Sequence, residues 1–217
     1  MFNLYISAYD QKEIINALKD TLYLLSITSV FLIVVGLLFG FILFFTEQSK
    51  NHIIHKITGF IVDILRSVPF IILMILLIPV TVILVGTIIG AKAALPALII
   101  SASPFYARLV YMSLRDIPKG NIEALEAMGA SKFTKIRILI KEALPSLLSG
   151  LTVSLVTLVG FIASAGAIGA GGLGDLAKRK AFASEYPVMI ICIILILVIV
   201  FTIQLTGDYI VKKIDKR

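Results

Sequence analysis

Few residues in this sequence have the types and spacing that catalysis or metal binding requires. His52 and His55 lie three residues apart and could present two metal ligands, but no cysteine and no third ligand of suitable geometry completes a site. No P-loop pattern G-x-x-x-x-G-K-[ST], no H-E-x-x-H and no serine elbow occurs. We therefore predict no catalytic residue, no metal site, no cofactor and no ATP site of the P-loop type.

The run Gly169–Gly174 spells G-x-G-x-x-G, the phosphate-binding fingerprint of dinucleotide-binding proteins. That fingerprint has its meaning only between a strand and a helix of a βαβ unit. Here it ends a stretch without any charged residue that begins at Ala143. We interpret it as a flexible cap or gate element at the outer face of a membrane protein.

The residue pattern of one polar segment, residues 121–129, indicates a structural role and no catalytic or ligand-binding one. Asn121 can cap a short helix whose first turn holds Glu123, where a carboxylate favours the positive helix end. Gly129 can take the left-handed conformation that stops such a helix. The apolar residues of this helix recur every third position and form one stripe: Ile122, Leu125 and Met128.

After that stop, Ser131 can cap a second helix, predicted over Lys132–Glu142 and ending before Pro145. Together the two helices form a polar hairpin, residues 115–142, between two apolar runs. From the residues alone, two interpretations stay open. The hairpin is either an amphipathic connector on the lipid surface or a docking element for a soluble partner.

The elements that must position this hairpin are membrane helices. The chain has 217 residues, of which 59% are hydrophobic and 15% charged, against about 25% charged in ordinary soluble domains. A bilayer core requires about 20 apolar residues per helix. The predicted fold is an all-α membrane protein, a single transmembrane domain over residues 1–217, with five transmembrane helices at about residues 20–46, 60–85, 92–113, 145–170 and 186–209.

The basic residues predict the orientation of these spans. Fourteen lie on the side of the hairpin and the C-terminus, and six lie on the other side: Lys12, Lys19, Lys92, Lys178, Arg179 and Lys180. The positive-inside rule then places the N-terminus outside and the hairpin and the C-terminus in the cytoplasm. Anionic membrane lipid is a secondary partner of the basic excess. No nucleic-acid partner is expected, because no soluble basic domain exists to hold one.

The hairpin resembles the EAA loop of ABC importer permeases, whose pattern is Glu-Ala-Ala, three residues, Gly, nine residues, then Ile-x-Leu-Pro. This chain has Glu123, Ala124 and Gly129 at the matching positions. It departs at Leu125, where the family prefers a small residue, and at Glu142, where the family has proline. The resemblance implies that Ile122, Glu123, Ala124, Leu125, Met128 and Gly129 form a coupling helix that docks on a separate ATP-binding subunit.

Four further segments resemble the methionine importer permeases within that family: Arg66–Phe70, Gly86–Gly90, Pro104–Arg108 and Gly169–Gly174. The similarity extends over roughly Arg66 to Asp208. It implies a type I importer permease fold in a bacterial inner (plasma) membrane and a homodimer with two ATP-binding subunits. It also implies an extracytoplasmic substrate-binding protein and methionine as the cargo. The chain itself would be a transport subunit and not an enzyme.

The expected translocation pathway is lined by small, mildly polar residues of the spans, suited to a neutral zwitterion: Ser101, Ser103, Ser154, Thr157 and Ser164. Arg66 has two open interpretations, since it can pair with Asp63 or face the pathway and meet a substrate carboxylate. The alternatives for the whole protein are the same machinery with another amino acid or small solute, a carrier coupled to an ion gradient, or a scaffold without transport. The carrier is disfavoured because no carboxylate or lysine lies deep within a span.

Overall fold

The computed structural model describes residues 7–48 and 52–215, and all regular structure in these two ranges is helical. Lys50, Lys216 and Arg217, which contribute to the orientation prediction, lie outside the described residues. The helices are α1 (Ala8–Gln48), α2 (His52–Ser67), α3 (Phe70–Leu76), α4 (Ile78–Val85), α5 (Ala91–Arg115), α6 (Lys119–Ala127), α7 (Lys132–Ala165), α8 (Gly172–Phe182) and α9 (Tyr186–Ile214), with a π-helical turn over Gly166–Ala170 between α7 and α8.

The core of the fold is the long contact between α1 and α5, which run parallel to each other, from the same end of the molecule to the other. Buried leucines of α1 pack against buried residues of α5, among them Tyr106 and Val110. Gly36 and Gly40 of α1 face these two side chains so closely that a Cβ on either glycine would overlap with them. Small residues at such positions let membrane helices approach each other. This contact therefore fixes α5, which leads into the hairpin, against α1.

The molecule has two ends, which contacts between distant residues define. At the hairpin end, the Arg115 guanidinium lies 3.8 Å from the Glu47 carboxylate. At the opposite end, here called the far end, the Thr21 hydroxyl accepts a hydrogen bond of 2.9 Å from the Leu173 amide. Also at the far end, the Gly90 amide donates to the Gly169 carbonyl at 2.9 Å. The helices α1, α5 and α7 each extend from one end to the other.

The predicted second span, residues 60–85, is not one straight helix. The axes of α2 and α3 meet at 107°, because Pro69 has an extended backbone with φ −55° and ψ 135° and disfavours the helical conformation in the residue before it. The axis shifts again at Leu77, between α3 and α4. Among the described residues, four helices are long and apolar enough to cross a membrane, or five if the bent pair α2 and α3 counts as one span. The boundaries of the spans stay predictions.

Helix α7 corrects the expectation that the hairpin's second helix ends at Glu142 and a new span begins after Pro145. A single helix extends from Lys132 to Ala165 with Pro145 inside it. Proline removes one backbone hydrogen bond from a helix. Buried Ala143 and Leu147 on either side of the proline pack into the core and keep the helix continuous. The hairpin and the following span are therefore one rod.

The expected external loop after the fourth span contains a helix instead, α8, which packs against α1 and α9. The glycine fingerprint forms the tight entrance to α8. Gly169 has φ +101° and Gly171 φ +76°, values that favour glycine. Gly174 lies so close to the backbone of Ala163 that a Cβ would overlap with its carbonyl. The run is a tightly packed turn between α7 and α8, and a role as a cap or gate element stays a prediction.

A cluster of charged side chains at the far end joins α1, α8 and the start of α9. The Lys180 amine lies 2.6 Å from Asp10, 3.1 Å from Glu13 and 2.6 Å from Glu185. These hydrogen bonds raise the pKa of Lys180 above its usual value, although burial opposes the shift. The Lys180 ammonium is the main cause that lowers the pKa of the Asp10 carboxyl. The charged forms of these groups are thus the stable ones at neutral pH.

Candidate functional site: the polar hairpin and a cavity between α2, α5 and α7

The first helix of the hairpin, α6, begins at Lys119, two residues before the predicted cap Asn121. Its apolar positions do not form one stripe as predicted. Leu125 is buried against the rest of the chain, whereas Met128, just beyond the helix end, is 72% exposed. Glu123 and Ala124 are exposed, and Ile122 lies in the same helix. Leu125 therefore faces the protein interior, and Glu123 and Ala124 lie on the accessible surface of α6.

The predicted end of α6 and start of α7 are confirmed. Gly129 has φ +67°, and the amide of Ala130 donates to the Leu125 carbonyl at 3.0 Å, which closes the helix end. The Ser131 hydroxyl accepts a hydrogen bond of 3.2 Å from the Thr134 amide and caps α7. No atom lies within 4 Å of a Cβ placed on Gly129. Glycine is thus required at this position for its backbone conformation, and its surface is open.

The outward surface of the hairpin combines large apolar side chains with basic ones. Phe133, in the first turn of α7, is 76% exposed and lies a few residues from exposed Met128. Arg137 and Lys141 on the same helix are also exposed. Large apolar groups in water are unfavourable unless a partner covers them. The sequence analysis missed Phe133, although an aromatic residue in the first turn of a capped, polar helix was a visible signal.

The base of the hairpin is part of the transmembrane core. The residues that end α5, precede α6 and begin the membrane part of α7 form one buried cluster: Leu114, Ile117, Leu139, Ala143 and Leu147. The Tyr106 hydroxyl of α5 donates to the Leu147 carbonyl of α7 at 3.4 Å. A force applied to α6 is therefore transmitted to both α5 and α7.

A second set of contacts holds α1 and α2 to the hairpin end of α5. The Tyr111 ring lies between two guanidinium groups, with Arg108 at 5.2 Å and Arg115 at 5.6 Å from its centroid. These distances are within the range of cation–π attraction. The ring of His55 is 6.0 Å from the Tyr111 ring, and its Nδ1 lies 3.0 Å from the Leu43 carbonyl. His55, considered above as a metal ligand, thus takes part in helix packing.

The five residues predicted to line the pathway differ in the hydrogen bonds that their hydroxyls make. The hydroxyls of Ser154, Thr157 and Ser164 donate to carbonyls of their own helix at 2.8, 2.9 and 2.9 Å. Ser101 and Ser103 are buried, and their hydroxyls have no hydrogen-bond partner among the described residues. Of the five, Ser101 lines a cavity of about 40 Å³ between α2, α3, α5 and α7. A role for all five in the pathway stays a prediction.

The same cavity is lined by Arg66, for which two interpretations were open. The Arg66 guanidinium lies 3.9 Å from the Asp63 carboxylate and also borders the cavity beside Ser101. The pairing with Asp63 is therefore present, and a position of Arg66 on the translocation pathway stays a prediction. Phe70, Phe105 and Phe161 complete most of the wall.

Comparison with known proteins by sequence gives close matches. A family model described as "Binding-protein-dependent transport system inner membrane component" matches residues 33–217. The methionine import system permease protein MetP of Bacillus subtilis (strain 168) is 46% identical over 222 residues, with 100% of both chains covered. The probable D-methionine transport system permease protein MetI of Vibrio cholerae is 40% identical over 215 residues, which cover 97% of this chain and 96% of that protein.

Solved structures give the same fold. A chain of the MetNI methionine ABC transporter in an inward-facing conformation superposes with a TM-score of 0.90 at 37% identity, covering 97% of this chain and 100% of that one. An amino acid ABC transporter crystallised with histidines superposes with a TM-score of 0.69 at 22% identity, which indicates a shared fold alone.

Proposed function

Because this chain belongs to the family of binding-protein-dependent transport system inner membrane components, we propose that it is the permease subunit of an ATP-driven importer of methionine. The cargo follows the names of relatives that match nearly the whole chain. The structural feature that supports the role is the exposed hairpin, which is continuous with two transmembrane helices. The permease performs no catalysis, and the ATPase is a separate subunit.

Two copies of the chain form the translocation pathway, and two ATP-binding subunits dock on their hairpins. An extracytoplasmic binding protein delivers methionine to the far end. When the ATP-binding subunits close, they move α6. The chain joins α6 directly to α5 and α7, whose hairpin ends share a buried core, and these connections transmit the motion into the membrane. The two halves then expose the pathway to alternate sides, as rigid bodies that rock about their interface.

The proposal includes an orientation in the bacterial inner membrane. The hairpin and the C-terminus face the cytoplasm, where ATP is available, and the N-terminus and α8 lie outside. The fourteen basic residues on the hairpin side against six on the other support this orientation.

Substitutions in the hairpin test the coupling role. In proteoliposomes that contain the permease, its ATPase and the binding protein, Gly129→Asp and Glu123→Lys should each abolish ATP-driven methionine uptake. Gly129→Asp forces a side chain into the left-handed conformation, and Glu123→Lys reverses an exposed charge at the docking surface. Gly120→Asp adds the same carboxylate to the same hairpin without backbone strain and should keep most of the uptake.

The outcomes separate this proposal from its rivals. Normal uptake in both Gly129→Asp and Glu123→Lys would overturn the coupling role. Uptake by liposomes with this chain alone, driven by an ion gradient and indifferent to ATP, would establish a secondary carrier instead. No flux with all subunits and ATP present would indicate a scaffold. Competition of labelled methionine uptake by other amino acids would identify a different cargo.

A further inference from the structure

The cavity beside Ser101 lies well inside the membrane part of the chain. Ser101 precedes Arg115, the last residue of α5, by fourteen positions, so it lies about 21 Å along that helix from the hairpin end, at 1.5 Å per residue. Arg66 reaches this depth because α2 ends there and the chain bends sharply into α3. A charged side chain at membrane depth is costly, and such groups usually mark the route of a substrate or an ion.

The charges around this cavity leave room for an anion. The Asp63 carboxylate lies 3.9 Å from Arg66 and 3.9 Å from Arg108. Two guanidinium groups thus share one carboxylate, and the group of three carries a net positive charge. Both distances exceed hydrogen-bond length, and among residues 7–48 and 52–215 no hydrogen bond of the Arg66 guanidinium occurs. Its donors are available for a second carboxylate.

Ser101 supplies a second free donor at the same place. The side chain is 6% exposed, and its hydroxyl has no hydrogen-bond partner in the described part of the chain. A buried hydroxyl without a partner costs free energy comparable to a lost hydrogen bond. The neighbouring cavity is the space from which a ligand atom can satisfy it.

The remaining wall consists of three phenylalanines and two aliphatic residues, Leu65 and Val68. The rings of Phe70 and Phe161 are stacked with centroids 4.9 Å apart, and the Arg66 guanidinium lies 5.7 Å from the centroid of the Phe105 ring. Phe105 and Phe161 are only partly buried, so part of each ring is accessible beside the cavity. Aromatic rings make favourable contacts with aliphatic groups and with thioether sulfur.

The size of the cavity selects the part of a ligand that it can hold. Its volume is about 40 Å³, and one water requires about 10–15 Å³ of such volume. The space accepts a carboxylate group but not a whole amino acid. The rest of a bound amino acid would lie outside the cavity, against the accessible parts of the Phe105 and Phe161 rings.

We propose that Arg66 and Ser101 bind the carboxylate of the transported amino acid, and that Phe105 and Phe161 contact its apolar side chain. This inference rests on the proposed function, since it assigns a substrate site within the permease. The site recognises an α-carboxylate next to an apolar side chain. It lies within the permease and is distinct from the site on the binding protein.

Equilibrium binding tests the assignment directly. Labelled L-methionine is added to the purified complex of permease and ATPase in nanodiscs, without binding protein and without nucleotide. The wild type should bind methionine saturably, and methioninamide, which lacks the carboxylate, should compete poorly. Binding should weaken at least tenfold in Arg66→Gln, because a charged hydrogen bond is lost, and about three- to tenfold in Ser101→Ala.

Thr28→Val is the matched control. Thr28 of α1 is fully buried and its hydroxyl also has no partner among the described residues, but it does not line the cavity. A buried hydroxyl without a partner is thus removed from another helix while the shape of the side chain is kept, and methionine affinity should not change. Arg66→Lys, which keeps the charge and loses the planar fork, should give an intermediate affinity.

Four results would overturn the assignment. They are no saturable binding by the wild type at millimolar methionine, equal competition by methioninamide, unchanged affinity in both Arg66→Gln and Ser101→Ala, or an equal loss of affinity in Thr28→Val. In each case, ATP-driven uptake by the full wild-type complex is measured separately. If uptake persists, the proposed importer function stands and only the substrate site is refuted. If uptake is absent, the proposed function and the substrate site are both refuted.

Discussion

Lys180 lies among carboxylates from three helices and is only 7% exposed. Its neighbour Arg179 contacts Asp175 at 3.0 Å and Glu13 at 3.1 Å. In the sequence, Arg179 and Lys180 are an exception to the positive-inside pattern, because they are clustered on the side that has fewer basic residues. The partners could not be predicted, because Asp10 precedes Lys180 by 170 positions. Gly129 and Ser131 were predictable because helix stops and caps depend on neighbouring residues alone.

Removing the amine of Lys180 should weaken the far end of the fold. Lys180→Met leaves the Asp10 carboxylate without its main counter-charge and removes one of the two cations that contact Glu13. Removing one partner of such an ion pair is destabilising, so the melting temperature of the detergent-solubilised protein should fall by roughly 5–10 °C. Lys19→Met removes an exposed lysine from the same end and should leave the melting temperature unchanged. Equal melting of both variants would show that the cluster does not stabilise the fold.

At the scale of elements, the long helices α1, α5 and α9 were predicted because apolar runs of membrane length define them locally. Pro69 and Pro79 indicated a broken or bent helix in the second span, but the angle of the path through α2, α3 and α4 and the helix α8 were not predicted. Pro69 is visible in the sequence, but the bend that it introduces depends on the packing of α3 against α5 and α7. Helix α8 has charged residues, and it becomes part of the core only because α1 and α9 cover Leu173 and Leu176.

Because α8 packs closely on α7, alanine substitutions at two glycines, Gly174 and Gly160, should have opposite effects on the stability of the protein. Gly174→Ala would place a Cβ against the Ala163 carbonyl, which must displace α8 and should cost about 1–3 kcal/mol of stability. Gly160 lies in the middle of α7 and is exposed. Among the described residues, no atom apart from its chain neighbours and its own helix backbone lies within 4 Å of a Cβ placed there. Gly160→Ala should stabilise the helix by roughly 0.5–1 kcal/mol. Thermal unfolding followed by size-exclusion chromatography measures both. A Gly174→Ala variant as stable as Gly160→Ala would mean that α8 is not held against α7.

At the scale of the whole molecule, contacts between distant helices show at which end of the molecule each helix begins and ends, and so how many times the chain passes between the two ends. Helix α1 begins beside Lys180 at the far end and finishes beside Arg115 at the hairpin end. Helix α5 begins at the far end, where the Gly90 amide meets the Gly169 carbonyl. The segment from α2 to α4 must therefore return the chain between the two. With α1, α5 and α7 this makes four passes before α8, and α9 adds a fifth.

Five passes place the two termini on opposite sides, and labelling of single cysteines tests both this parity and its direction. Cys192 is buried and is the one cysteine of the chain, so Cys192→Ala gives a background without reactive thiols. New cysteines are introduced at exposed positions: Lys12→Cys at the far end, Arg137→Cys in the hairpin and Lys213→Cys near the C-terminus. A membrane-impermeant maleimide on intact spheroplasts should label Lys12→Cys alone, and the other two should react only after permeabilisation. The reverse pattern would place the hairpin outside, away from ATP, and would exclude the coupling role. Labelling of Lys12→Cys and Lys213→Cys from the same side would instead show that the chain crosses the membrane an even number of times. The bent segment from α2 to α4 would then enter and leave the membrane on the same side.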